Sequence, residues 1–245
     1  MKHSNEFEEL ISFCTEHDQY IGLGNPNSRI LFVGKEAGEP VDSINIPGDG
    51  KSWKENAIDF AKKYVPQKET HRKGNHTWQK YQKLYRLILA ELNTVETELE
   101  DKEITFVENV FTTELSNLPA PRTKEAKKLK DFDANLKNRK NLFWKNEFIK
   151  QFPIIIIAAS DKKYIETYSG EVCELFDVEF FEVKAFGKSG KMWIHYSVKE
   201  KNNVYPKLVI HTRQLTNGAS DNLLHEIART VKKFIEQHNI EIKLK

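Results

Sequence analysis

The sequence is poor in cysteine, which restricts the kinds of fold and site that it can form. Its 245 residues include two cysteines, Cys14 and Cys173. Two thiols cannot build a disulfide framework, and they cannot supply the four soft ligands of an iron–sulfur cluster or a cysteine-based zinc site. We therefore predict a protein of a reducing compartment, the cytoplasm, with no metal and no other cofactor.

Long hydrophobic runs are also missing. The longest apolar stretch, PIIIIAA at 153–159, is far shorter than a membrane-spanning helix and is typical of a buried strand. The first ten residues, MKHSNEFEEL, are polar and acidic, so we expect no cleaved signal peptide. These features predict a protein without a membrane partner.

A strong net charge is lacking as well, although the cations are clustered. The formal net charge is +2, with 39% hydrophobic and 30% charged residues, a composition typical of one globular domain spanning 1–245. We expect a monomer. The segment Lys62–Lys83 carries seven cations and one acid, and 122–130 and 136–145 add further basic clusters. Such clusters bind phosphate or form solvated helix faces, and composition leaves both interpretations open.

Apolar strand-like runs alternate with helical patterns along the chain, which favours an α/β fold. We predict three α/β/α layers around a central, mainly parallel sheet of four to five strands. The predicted helices include 5–16, 78–92, 132–152 and 161–176, and a helix beginning near Ser220 closes the chain. The predicted strands include 29–34, 104–112, 153–160, 178–183 and 207–211, and a hairpin leads into a strand at 192–198.

The stretch NPNSRILFVGKEAGEP at 25–40 is the best candidate for a site. A short apolar strand ends at Gly34, and Lys35, Glu36 and Gly38 follow it. Loops at the carboxyl ends of such strands bind ligands in open α/β sheets. An ordinary loop with a surface ion pair is the alternative. Asn109 interrupts the apolar run ITFVENVFT, and His211 ends the run KLVIH, so both are further candidates for that edge.

These three segments, in this order, resemble motifs of the uracil-DNA glycosylase superfamily. GNPNSRILFVGKEAG is similar to the first motif of its iron–sulfur branch, although the cluster cysteines are absent. FVENVFT is similar to the second strand, and VIHTRQL is similar to the late strand and its His-Pro-Ser loop. The resemblance covers about residues 20–235 and implies a DNA glycosylase that flips a deaminated base, uracil or similar, into a pocket and cleaves its N-glycosidic bond.

The resemblance also implies roles for particular residues. Glu36 would position the attacking water, and His211 would donate to the base oxygen. Gly34, Gly38 and Asn109 would hold the base. Contacts to nucleic acid would come from Lys35, Arg72, Lys73, Trp78 and Arg213. We expect Glu36, Asn109 and His211 to meet in one pocket, with 62–83 facing the same side.

Two alternatives stay open. One is a non-catalytic or differently catalytic member of the same fold that binds nucleic acid or a nucleotide. The other is an unrelated α/β protein.

Overall fold

A computed structural model describes residues 3–41, 43, 46–55, 65, 76–92, 103–166, 170–197, 206–216 and 218–242. The helices are α1 (Asn5–Glu16), α2 (His76–Glu91), α3 (Thr123–Ala126), α4 (Phe132–Leu142), α5 (Glu147–Lys150), α6 (Glu171–Phe176) and α7 (Asp221–His238). The strands are β1 (Leu23–Gly24), β2 (Ile30–Gly34), β3 (Phe111–Glu114), β4 (Ile154–Ala158), β5 (Val178–Ala185), β6 (Lys191–Ser197) and β7 (Leu208–Thr212). Residues 50–55 are also helical.

The strands form one seven-stranded mixed sheet in the order β1-β3-β2-β4-β7-β6-β5. The four central strands β3, β2, β4 and β7 are mutually parallel. β1 pairs antiparallel with β3, and the β5–β6 hairpin joins β7 antiparallel. The α/β class is confirmed, but the prediction of four to five strands is wrong. β1 has only two residues, too few to give an apolar pattern, and the hairpin adds its antiparallel strands to one edge.

Each face of the sheet carries its own hydrophobic cluster, because successive side chains of a strand point to opposite faces. Val33 and Ile157 belong to the cluster that also contains residues of α1, α4, α5 and α6. Phe32 and Ile156 belong to the other, with residues of α2 and α7. The central strands are buried on both faces, as expected for parallel strands covered by helices.

Two helices begin where the sequence predicts them, and each has a serine cap. The Ser4 side chain accepts a hydrogen bond from Phe7 N at the start of α1, and the Ser220 side chain accepts one from Leu223 N at the start of α7. α2 begins at His76, two residues before the predicted start at 78. No helix in the described part of the chain is long and apolar enough to cross a membrane.

The predicted helix 132–152 is interrupted after Leu142. Asn146 begins a new turn of helix by accepting a hydrogen bond from Phe148 N, and such local capping competes with helix continuation. The predicted helix 161–176 is helical only over Glu171–Phe176 among its described residues.

The predicted strand 104–112 is also wrong in its position. Residues Phe106–Glu108 form a 3-10 turn, closed by the bond from Asn109 N to Phe106 O at 3.0 Å, and the strand begins at Phe111. The polar pair Glu108–Asn109 therefore lies in the turn before the strand.

Candidate functional site

The candidate site lies where the chain reverses its direction of winding across the sheet. β2 lies between β3 and β4, and it is parallel to both. The loops that leave the carboxyl ends of neighbouring strands separate at such a point, which is where ligands bind in open α/β sheets. Here these loops carry Lys35 and Glu36 after β2, and Asp161 and Tyr164 after β4.

Backbone hydrogen bonds fix the loop after β2 to the chain that follows β3. Leu115 N donates to Gly34 O at 3.0 Å, and Ser116 N donates to Lys35 O at 2.7 Å. The pairing of β2 with β3 therefore continues beyond the end of β2. This continuation sets the position of Glu36 relative to Glu114, the last residue of β3.

Glu36 and Glu114 form a carboxyl pair at this edge of the sheet. Glu36 Oε1 accepts a hydrogen bond from Thr123 Oγ1 at 2.7 Å. Burial, reinforced by the Glu36 carboxylate, raises the pKa of Glu114 to about 8, although the Arg139 charge opposes this. Glu114 is therefore mostly protonated at neutral pH.

Gly34 is needed for this arrangement. A Cβ at Gly34 would lie 2.8 Å from Glu114 Cδ and 2.9 Å from Glu114 Oε1, which is closer than real Cβ atoms approach. The Glu114 carboxyl group therefore occupies the space that a side chain at residue 34 would take. Gly34 was predicted to hold the base. In the structure, its missing side chain makes room for the Glu114 carboxyl group.

Three buried polar atoms at this edge have no hydrogen-bond partner within the described residues: Glu36 Oε2, Glu114 Oε2 and Tyr164 Oη. Burial, the Glu36 carboxylate and the charges of Asp161 and Glu114 all raise the pKa of Tyr164 above its ordinary value. The phenol therefore lies beside the Glu36 carboxyl group and interacts with it. Buried water or a polar ligand group typically satisfies atoms of this kind.

Two lysines lie near Tyr164 and Asp161. Lys127 Nζ is 2.5 Å from Asp161 Oδ2, and Lys35 Nζ is 3.6 Å from the same oxygen. Both ammonium groups lie over the Tyr164 ring, 5.7 Å from its centroid for Lys35 and 5.9 Å for Lys127. Burial alone would raise the pKa of Asp161, but the bonds and charges, chiefly of Lys127, hold it below its usual value.

Arg139 holds the end of β3 through hydrogen bonds. Its side chain is fully buried, and its guanidinium donates to Glu114 O at 3.0 Å, to Thr113 Oγ1 at 3.2 Å and to Gln19 Oε1 at 3.3 Å. Burial lowers its pKa to about 10, so the group stays cationic at neutral pH. These bonds fix the end of β3 and keep a positive charge near Glu114.

A cleft of about 350 Å³ lies beside the site, between the end of α1 and the loops after β2 and β3. Its lining includes Gln19, Tyr20, Lys51 and Asn117, but not the carboxyl pair. Gln19 links it to Arg139. The volume is in the range of small-molecule sites.

Asn109 does not belong to this site. It precedes β3, whereas Glu114 ends it, and a four-residue strand spans about 10 Å. The Asn109 side chain hydrogen-bonds to Tyr85 of α2. The expectation that Asn109 meets Glu36 at the carboxyl edge is therefore wrong, because the strand begins later than its sequence pattern indicates.

His211 lies in β7, opposite Ile157 of β4 and Trp193 of β6, and it is fully buried. Its Nε2 donates to Ala159 O at 3.2 Å, since a carbonyl oxygen can only accept. Burial lowers the pKa of His211 to about 4, so the ring is neutral. His211 was predicted to donate to a base oxygen. Its Nε2 instead donates to Ala159, in the loop that carries Asp161.

The other predicted contacts are placed as follows. Gly38 has open space around its missing Cβ. Trp78 stacks on Phe106, with ring centroids 5.9 Å apart, and packs against the cluster on the α2 face. Arg213 donates to Lys188 O at 3.1 Å and packs against Gly218. Arg72 and Lys73 lie outside the described residues, as does most of the basic segment 62–83.

Six members of the site were not predicted from the sequence: Glu114, Thr123, Lys127, Arg139, Asp161 and Tyr164. A correct start of β3 would have placed Glu114 at its carboxyl end, directly beside Gly34. Nothing in the local pattern marks Thr123, Arg139 or Tyr164, since each acts through a tertiary contact. The described residues contain no group of three or more His, Cys, Asp or Glu that could hold a metal ion.

Comparisons with known proteins do not add an identity. No family model, curated protein or solved structure matches this chain.

Proposed function

We propose that this chain is a DNA glycosylase-like hydrolase that cleaves the N-glycosidic bond of uracil or a similar deaminated base. The observation that carries the proposal is the carboxyl pair, with Glu36 held by Thr123 and Glu114 kept neutral by burial and by Glu36. We also propose that the chain has the three-layer α/β/α architecture of the uracil-DNA glycosylase superfamily. The parallel core β3-β2-β4-β7 supports this.

The proposed reaction uses each carboxyl group once. Glu36 accepts a proton from the water that attacks the sugar carbon of the glycosidic bond, and Glu114 donates a proton to the leaving base. A base that leaves neutral is a better leaving group, and a carboxylic acid with a pKa near the working pH is a suitable donor. The unpartnered oxygens of Glu36, Glu114 and Tyr164 supply hydrogen-bonding capacity for the water.

The test is base release from single- and double-stranded oligonucleotides carrying uracil, hypoxanthine or xanthine. Wild-type protein should release at least one of these bases, and Glu36→Gln should lower the rate by about 100- to 10,000-fold, the range for loss of a general base. Glu125→Gln is the matched control, because Glu125 is an exposed residue of the same short helix as Thr123. Release of none of the bases by the wild type would refute the proposal.

A second candidate function is binding of a nucleic acid or nucleotide without hydrolysis. Two observations favour it. The His211 donor is bonded to Ala159, and Asn109 lies at the other end of β3, so neither is available for its expected role. The cleft of about 350 Å³ also lies beside the carboxyl pair rather than over it. Saturable binding of the oligonucleotides by the wild type, with no base released, would select this candidate.

A further inference from the structure

Lys35 and Lys127 form a lysine pair that converges on one carboxylate oxygen. Lys127 Nζ lies 2.5 Å from Asp161 Oδ2, within hydrogen-bond distance. Lys35 Nζ is 3.6 Å from the same oxygen, longer than a hydrogen bond. The Lys35 side chain is only 13% exposed, so this ammonium is largely removed from water although its ion pair is loose.

The lysine pair has more donors than Asp161 can use. Each ammonium group offers three N–H donors, whereas Asp161 contributes one carboxylate. Asp161 Oδ1 also accepts from Lys163 N at 3.1 Å. The local charge of two lysines and one aspartate is positive, so a further anion would be attracted to this place.

The position of the pair relative to the carboxyl pair indicates which anion fits. Both ammonium groups lie over the Tyr164 ring, and Tyr164 also interacts with Glu36. The lysines and the carboxyl groups therefore border the same tyrosine side chain. In a nucleotide, one sugar ring separates the phosphate from the glycosidic bond.

We infer that Lys35 and Lys127 bind the phosphate of the nucleotide unit whose glycosidic bond lies at Glu36 and Glu114. This inference rests on the proposed function for the position of the glycosidic bond, but phosphate binding itself can be measured without hydrolysis. In the absence of a substrate, Asp161 is the internal anion that holds the two ammonium groups together.

The experiment measures binding by isothermal titration calorimetry at low salt, with deoxyuridine, deoxyuridine 5′-monophosphate and a short uracil-containing single strand as probes. The phosphorylated probes should bind more tightly than the nucleoside. Lys35→Gln and Lys127→Gln should each weaken binding of the phosphorylated probes roughly tenfold or more, the loss expected for one charge-assisted hydrogen bond. The nucleoside should be affected little.

Asp161→Asn gives a second, opposite test. It removes the competing negative charge and keeps an oxygen that can accept from Lys163 N, so affinity for the phosphorylated probes should rise severalfold. If Asp161 only held the two lysines in place, Asp161→Asn would not raise the affinity for the phosphorylated probes. The monophosphate and the strand distinguish a single phosphate from a chain of phosphates as the source of binding.

Two lysines serve as matched controls. Lys140 pairs with Glu171 and is 14% exposed, and Lys150 pairs with Glu147 and is 34% exposed, close to the 13% and 32% of Lys35 and Lys127. Lys140→Gln and Lys150→Gln should leave binding unchanged. Equal affinity for nucleoside and monophosphate, or losses no larger in the lysine-pair variants than in the controls, would overturn the inference. Failure of base release with the binding pattern intact would instead count against the proposed function alone.

Discussion

Glu114→Gln tests the carboxyl pair through protein stability, independently of any substrate. Burial and the Glu36 carboxylate raise the pKa of Glu114 from 4.5 to about 8. In the unfolded chain the same group ionises near its ordinary value. Glutamine has nearly the same shape as protonated glutamic acid, but it does not titrate. The variant therefore removes the titration while it leaves the packing over Gly34 almost unchanged.

The direction and size of the effect follow from proton linkage. Between pH 4.5 and pH 8 the folded protein holds a proton on Glu114 that the unfolded chain has lost, so stability falls as pH rises through this window. At full effect each pH unit lowers the free energy of unfolding by about 1.4 kcal/mol. The wild type should therefore lose up to about 3–4 kcal/mol from this group between pH 5 and pH 8.

Urea denaturation at pH 5, 6, 7 and 8 measures this directly. The stability difference between Glu114→Gln and the wild type should grow in favour of the variant as pH rises. Glu125→Gln, which changes an exposed carboxylate, should follow the wild type at every pH. Parallel curves for Glu114→Gln and the wild type would show that Glu114 ionises normally, and the acid role assigned to it would fail.

Four further variants separate structural from functional roles. Gly34→Ala should displace the Glu114 carboxyl group and lower base release, because that group lies where the new Cβ would be. Gly38→Ala should change neither activity nor melting temperature, because the space around Gly38 is open. Burial lowers the pKa of His211 to about 4, so the wild type should lose stability as pH falls from about 6.5 to about 4. His211→Gln should remove this loss. Urea denaturation curves of the variant and the wild type that shift equally between pH 6.5 and pH 4.5 would contradict this. Asn109→Ala should lower the free energy of unfolding by about 1–2 kcal/mol through loss of a buried hydrogen bond, and altered discrimination between bases would show that its placement is wrong.

Much of the fold was predictable, because the strongest patterns are local. The run IIIIA of β4 and the capped helices α1 and α7 lie where apolar periodicity and Ser4 or Ser220 indicate them. The two-residue strand β1 was not predictable, since two residues carry no pattern. Its pairing with β3 depends on tertiary contacts alone.

The site was predictable only in part, and the error came from register. Lys35 and Glu36 follow a strand with a clear end, so their position was correct. The run ITFVENVFT has apolar residues on both sides of its polar pair, and the pattern does not show that the strand starts after it. His211 was placed correctly at the end of a strand, but its hydrogen bond to Ala159 joins residues 52 positions apart. Such contacts cannot be read from spacing.

The rate of base release as a function of pH, under single-turnover conditions, is the most direct test of the carboxyl pair as a hydrolytic site. The wild type should release base at a rate that falls as pH rises through about 8, because Glu114 must be protonated to donate. Glu114→Gln should be slower by about 100-fold or more and should lose this alkaline fall, since it has no proton to give. Wild-type and Glu114→Gln rates that agree across the whole pH range would contradict the account.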